Sequence, residues 1–233
     1  MDLKGNHYIV SGGSSGLGLS MSESLIKEGA SVIITGRDEE KLKVEAARIG
    51  AVPFHADVAN DEDIKALFAF VIEQFGKLDG LINNAGIGGW APIEEMDRDL
   101  MRSVFEVNVF GAAMMASEAS KIFMKQNYGD IVNVASTASL KGYKNGSIYS
   151  ATKFALRSMS QCWQAELRPY NVRVIQVNPS EVPTAFGQTD RQSRPIEEKK
   201  LTPQEIADVV IAALKMDRRG FIPEVSVFAT NPF

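Results

Sequence analysis

Short dense runs of apolar residues alternate along the chain with longer stretches in which apolar residues recur every three or four positions. His7–Ser11 (HYIVS) is a continuous run that ends in glycines, the pattern of a buried strand. Leu17–Glu28 keeps a helical period and stops at Gly29, a residue suited to a helix C-cap. Ser31–Thr35 (SVIIT) is β-branched and predicts the next strand. Asp38 caps a predicted helix that runs to Ile49, and Ala51–Ala56 returns to strand. Asn60–Asp61 opens a helix whose Ile64, Leu67, Phe68, Val71, Ile72 and Phe75 share one face.

Gly80–Asn83 and Ile131–Val134 read as strands on either side of one long helix, Leu100–Lys125. Tyr149–Leu167 is a helix ended by Pro169, and Val172–Val177 is strand again. Thr202-Pro203-Gln204-Glu205 is a capping box that launches Ile206–Lys215, and Phe221–Val227 closes the chain as a strand. Strands alternating with helices of this length form βαβ units, so the expected fold is α/β: one doubly wound domain over residues 1–233, a parallel sheet with helices on both faces. Ligands of such sheets sit at the strands' C-terminal ends. Pro179–Leu201 has charge but no period, and a structureless stretch of that length predicts a functional lid over a substrate.

Composition narrows the class. With 233 residues and 45% hydrophobic content the chain can bury a full core without staples. One cysteine, Cys162, rules out a disulfide framework and points to a reducing compartment. Cys162, His7 and His55 lack the spacing of a zinc site, so no metal is expected. A net charge of −4 argues against nonspecific nucleic-acid binding. The start MDLKGNHYIV has no signal-peptide core, and no apolar run reaches membrane-spanning length, so a soluble cytoplasmic protein is expected.

Three groups of residues could carry chemistry. Ser11-Gly12-Gly13-Ser14-Ser15-Gly16-Leu17-Gly18 is a glycine-rich turn between the first strand and the first helix. Backbone can approach a pyrophosphate closely there, and free N–H groups at the helix start hold its charge. Its G-x-x-x-G-x-G spacing is also compatible with an ordinary βα turn. Tyr149 and Lys153, at i and i+4 of one helix, bring an ammonium beside a phenol. That charge would lower the tyrosine pKa and make it a proton donor and acceptor for alcohol/carbonyl interconversion. In isolation such a pair is more often a plain surface pair. Ser136, just past Ile131–Val134, could hydrogen-bond a carbonyl oxygen, or simply cap a turn.

Together these form an ordered pattern: the glycine turn, then Asn83-Asn84-Ala85-Gly86, Asn108, Ser136 and Tyr149-x-x-x-Lys153. The chain resembles the short-chain dehydrogenase/reductase family, with its Rossmann-type domain, over nearly its whole length. That resemblance implies Tyr149 as general acid, Ser136 as the hydroxyl that orients the carbonyl, and Lys153 as the group holding the nicotinamide ribose and depressing the tyrosine pKa. It implies that Asn108 helps to position Lys153 through a water. Cofactor contacts are implied for Gly12, Ser14, Ser15, Gly16, Leu17 and Gly18, for Asp57 and Val58 at adenine, and for Asn84, Ala85 and Gly86 near the adenosine ribose. The family's Pro-Gly-x-x-x-Thr segment stands here as Pro179-Ser180-Glu181-Val182-Pro183-Thr184, with Val182 and Thr184 at the nicotinamide carboxamide. Ser180 replaces the usual glycine; if the position needs φ > 0 serine is strained there, so the loop is expected to take another path.

The expected activity is reversible, NADP(H)-dependent reduction of a small-molecule carbonyl to a secondary alcohol, with 3-oxoacyl-carrier-protein reduction as one specific form. NADPH is favoured because Gly36 and Arg37 stand where NAD-selective domains place a carboxylate, and Asp38 reads as the next helix's N-cap. A nonenzymatic dinucleotide sensor would not need the serine, tyrosine and lysine. A nucleotide-sugar epimerase would need a larger C-terminal domain. Substrate selection is expected from the lid and from Ile87, Trp90, Leu140 and Tyr143. The long helices carry surplus small and apolar residues, Ala112, Ala113, Met114, Met115 and Ala116 among them, and predict a homo-dimer or homo-tetramer. His7 and His55 read as satisfied interior histidines without a Ser/Asp partnership, and Met114, Met115 and Trp163 as packing residues.

Overall fold

Among the described residues seven strands, β1 (His7–Ser11), β2 (Ser31–Gly36), β3 (Val52–His55), β4 (Gly80–Asn83), β5 (Gly129–Val134), β6 (Val172–Pro179) and β7 (Glu224–Val227), pair in the order β3-β2-β1-β4-β5-β6-β7. Every pairing is parallel. The computed structural model describes residues 1–187, 195 and 197–232, so part of the expected lid lies outside the described residues. The order reverses between β1 and β4, which opens a crevice at their C-terminal ends.

The helices are α1 (Gly16–Lys27), α2 (Glu39–Ile49), α3 (Asp61–Phe75), α4 (Arg98–Phe105), α5 (Ala112–Gln126), α6 (Ser147–Leu167) and α7 (Pro203–Lys215). Strand residues alternate between two cores. Tyr8, Val10, Val32, Ile34, Val132 and Ile175 pack with α1, α2 and α7 residues such as Met21, Leu42 and Val210. Ile9, Ile33, Leu81, Ile131 and Val174 face the other way, toward α3 and α5 through Leu67, Met115 and Phe123. Both faces of the sheet are therefore covered, which is why its strands read as unbroken apolar runs.

Local signals act where the pattern placed them. Asp38 accepts from Lys41 N–H at 3.1 Å, and Asn60 accepts from the N–H groups of Glu62 and Asp63, as N-caps do. Gly29 closes α1 with φ +83°, and Glu205 reaches back to Thr202 N–H at 2.7 Å.

Several expectations need correction. Leu100–Lys125 is not one α-helix: Glu106–Gly111 forms a π-helical turn between α4 and α5. Gly111 sits there because a Cβ would come 2.5 Å from the Val58 carbonyl oxygen. The last strand is shorter than Phe221–Val227, since Pro223 has no N–H and contributes only its carbonyl, to Gln176 N–H. His55 is exposed on the edge strand β3, bonded to the Arg37 carbonyl, rather than interior. His7 does have an acidic partner, with Nδ1 3.4 Å from Asp79, at the end of the sheet away from the crevice. Met114 is 41% exposed instead of packed.

Candidate active site

The crevice is a cleft of roughly 1420 Å³. At its centre the chain leaves β1 through a turn that only glycine allows. Gly12 and Gly16 hold left-handed backbone, φ +65° and +52°. A Cβ on Gly12 would lie 3.1 Å from the Ala85 Cα, and one on Gly18 2.2 Å from the Gly12 carbonyl oxygen. Gly18 packs against the turn from inside, whereas Gly12, Ser14, Ser15, Gly16 and Leu17 line the cleft. Ser15 occupies the N-cap of α1 without a side-chain cap bond, so its hydroxyl does not take up the first-turn N–H groups.

Asn84 has a second role that spacing did not reveal. Its amide donates to the carbonyls of Ser11 and Gly12 at 2.9 and 3.2 Å, while Ser11 Oγ accepts from the N–H groups of Asn84 and Ala85 at 3.0 Å each. The β4 end is thereby laced to the glycine turn, and Asn84, Ala85 and Gly86 line the cleft beside it. Arg37, Asp57 and Val58 line its far end, after β2 and β3. There Thr35 Oγ1 is buried with no partner among the described residues.

On the other side of β1 the catalytic candidates converge. Ser136 follows β5 and accepts from Ala138 N–H at 3.1 Å. Tyr149 and Lys153 project from α6, with Lys153 Nζ 5.7 Å from the centre of the Tyr149 ring. Both are nearly buried, at 9% and 4% exposure. Lys153 donates to the Val134 carbonyl at 3.0 Å. Burial pushes its pKa down to about 8. The tyrosine departs from expectation. Burial raises its pKa far above the ordinary value of 10.0, Ser136 draws it back through a hydrogen bond, and Tyr143 raises it slightly. Desolvation of the phenolate is the largest of these causes, so the phenol is held in its neutral form.

Asn108 lies on the π-helical turn, outside the cleft lining. Its amide donates to the Ile87 carbonyl at 2.9 Å and to Thr152 Oγ1 at 3.1 Å, and its oxygen accepts from Ile87 N–H at 2.8 Å. The side chain staples the loop after β4 to α6, one residue from Lys153. Val182 and Thr184 line the cleft as well, and the Thr184 Cβ lies 3.4 Å from where a Gly16 Cβ would stand.

Ser180 needs no unusual backbone: it is absent from the residues with positive φ. Its N–H donates to the Val227 carbonyl at 2.8 Å and its hydroxyl accepts from Ala229 N–H at 3.4 Å. The loop departs along β7, and serine replaces glycine without strain. That path carries Phe228 to the cleft, a lining residue that sequence reasoning missed.

The family model for short chain dehydrogenases matches residues 6–195. The chain belongs to the short-chain dehydrogenase family. An uncharacterized oxidoreductase of Staphylococcus saprophyticus is 33% identical, over 97% of this chain and 98% of that protein. Among solved structures, the alcohol dehydrogenase of the archaeon Thermococcus sibiricus, complexed with 5-hydroxy-NADP, superposes with a TM-score of 0.89 at 26% identity, covering 97% of each chain. The 3-ketoacyl-(acyl-carrier-protein) reductase of Brucella melitensis, complexed with NADH, gives 0.88 at 26% identity, covering 99% of this chain and all of that one.

This member of the short-chain dehydrogenase family is therefore an oxidoreductase, and its cleft fits a nicotinamide dinucleotide. The glycine cradle leaves no Cβ where a pyrophosphate must pass, α1 presents an uncapped N-terminus, and Thr35 keeps an unanswered hydroxyl.

Proposed function

We propose that the chain is an NADP(H)-dependent reductase that converts a small-molecule carbonyl to a secondary alcohol, reversibly. The observation that carries this reading is the convergence of Ser136, Tyr149 and Lys153 on one wall of the glycine-cradled cleft. The chemistry that a reduced nicotinamide held in this cleft would supply is a hydride for the carbonyl carbon. Tyr149, kept protonated by burial, gives its phenolic proton to the carbonyl oxygen. Ser136 donates a hydrogen bond to the same oxygen and stabilises its growing charge. Lys153, with a pKa pushed to about 8, holds the nicotinamide ribose and exchanges protons near neutrality to restore the tyrosine. Asn108 acts as a positioning residue: it fixes the Ile87 loop against Thr152, next to Lys153 on α6, and is assigned the support of Lys153 through a water.

The preference for NADPH rests on the end of β2. Gly36 offers no carboxylate, and the Asp38 carboxylate is engaged as the α2 N-cap. Arg37 is exposed on the cleft without an acidic partner among the described residues, and Ser14 and Lys41 line the same cleft. A guanidinium grips a 2′-phosphate bidentately. Asp57 and Val58 are assigned to adenine, Asn84, Ala85 and Gly86 to the adenosine ribose, and Val182 and Thr184 to the carboxamide. The test is kcat/KM with each cofactor over a carbonyl panel. NADPH should exceed NADH, and Arg37→Ala should cost NADPH roughly tenfold to a hundredfold, as loss of a bond to a charged group does. Equal use of both cofactors by the wild type contradicts this assignment.

The working form is proposed to be a homo-dimer or homo-tetramer built on α5 and α6. Of the residues that suggested it, Ala112, Met115 and Ala116 are buried. Instead Phe110 (53% exposed), Met114 and Phe154 supply the exposed apolar surface.

A further inference from the structure

Tyr149 lies among aromatic rings. Its centroid is 5.8 Å from that of Trp90 and 5.6 Å from that of Phe186, and those two rings meet edge-on at 6.2 Å. Trp90 Nε1 donates to the Tyr143 hydroxyl at 2.7 Å, which joins the loop after β4 to the loop after β5. Trp90, Tyr143 and Phe186 all line the cleft and remain 39–47% exposed, although Tyr149 beneath them is buried.

Backbone has been cleared for two of these rings. A Cβ on Gly88 would stand 2.1 Å from the Trp90 ring, and one on Gly187, which also has φ +76°, 2.7 Å from it. Likewise a Cβ on Gly146 would stand 2.5 Å from the Tyr143 ring. The indole thus lies between two glycine backbones, in a position that no other residue at 88 or 187 would permit without displacement. The rings form an aromatic wall beside Tyr149, and such a wall favours a flat aromatic partner through offset-stacked or edge-to-face contact.

Among the described residues, charge at this end of the cleft is sparse or already used. Glu181 pairs with Lys200 at 3.1 Å and Lys153 is engaged with Val134. Lys141 is exposed on the lining, the one group there that an anionic substrate could seek among the described residues.

We infer that the substrate is an uncharged ketone carrying a flat aromatic group next to the carbonyl, with that group packed against Trp90 and Phe186 while the oxygen meets Tyr149 and Ser136. The inference rests on the carbonyl-reduction reading for its chemistry and on the ring geometry for the substrate's shape. Acetophenone, cyclohexyl methyl ketone and pyruvate separate aromatic, merely apolar and anionic preference. Binding is measured by calorimetry on the enzyme saturated with NADP⁺, where no turnover occurs, and kcat/KM is measured with NADPH.

Acetophenone should bind roughly threefold to tenfold more tightly than cyclohexyl methyl ketone, the range expected for ring–ring contacts beyond area burial, and far more tightly than pyruvate. Trp90→Leu should erase that margin. Phe186→Leu should reduce it and serves as the second variant if the first does not fold. Preferential binding of acetophenone without reduction of any ketone would sustain the pocket assignment and overturn the proposed reaction. Reduction of ketones with cyclohexyl methyl ketone or pyruvate bound as well as acetophenone would sustain the reaction and overturn the pocket assignment.

Discussion

Lys153 stands one helical turn from Tyr149, with Nζ 5.7 Å from the centre of the phenol ring, yet it donates its hydrogen bond to the Val134 carbonyl. The lysine is a buried amine held near the tyrosine by backbone, and the tyrosine is a buried acid. Burying the lysine is a cost to the fold, one that the proposed chemistry would use.

That cost is measurable for Lys153. Its pKa falls from 10.5 to about 8 on burial. Below about 8 the lysine is charged in both states and the penalty of burying that charge is complete. Between the two values the unfolded chain binds more protons, so this residue's contribution to stability rises with pH. Lys153→Met should be more stable than wild type at pH 7 by up to about 3 kcal/mol. The gap should narrow toward pH 10 in urea unfolding, while activity is lost. An equal gap at both pH values would contradict the assignment.

Gly18→Ala tests the cradle. Inside a helix this change ordinarily stabilises by about 1 kcal/mol. Here the added methyl meets the Gly12 carbonyl oxygen and the Asn84 amide, at 2.2 and 2.5 Å. The variant should be destabilised instead, and its affinity for NADPH in a fluorescence titration should drop at least tenfold. A more stable variant with unchanged affinity would mean that the glycine turn is loose.

Phe110→Glu tests the assembly. The side chain is 53% exposed and sits on the π-helical turn ahead of Met114. Light scattering should give a multiple of 25.4 kDa for the wild type and a smaller species for the variant. A wild-type monomer at micromolar concentration would contradict the proposed dimer or tetramer.

Much of this was legible in the sequence, because the sheet is covered on both faces and its strands show as plain apolar runs. The caps at Asp38 and Asn60 and the stop at Gly29 are local chemistry, and the fold leaves them as written. What escaped is long-range. At the π-helical turn Glu106–Gly111, Gly111 packs against the Val58 carbonyl, which α3, β4 and α4 separate from it along the chain. His55 lies on an edge strand, and edge position is a property of strand order. The high pKa of Tyr149 comes from burial that an i, i+4 spacing cannot express. Trp90 and Tyr143 were visible as residues of the right loops, but their bond, and the glycines that make room for it, belong to chain segments brought together only by folding.

The central claim is that Tyr149 supplies the proton in a nicotinamide-dependent reduction. Tyr149→Phe keeps the ring against Trp90 and Phe186 and removes only the hydroxyl. The decisive measurement is NADPH consumption with a reactive ketone, followed by cofactor absorbance, for wild type and Tyr149→Phe, beside the NADPH dissociation constant of each. Turnover should fall by roughly 10²–10⁴-fold, the worth of general acid catalysis, with cofactor affinity within a few-fold of wild type. Turnover within tenfold of wild type in the variant would place the proton elsewhere and contradict the account.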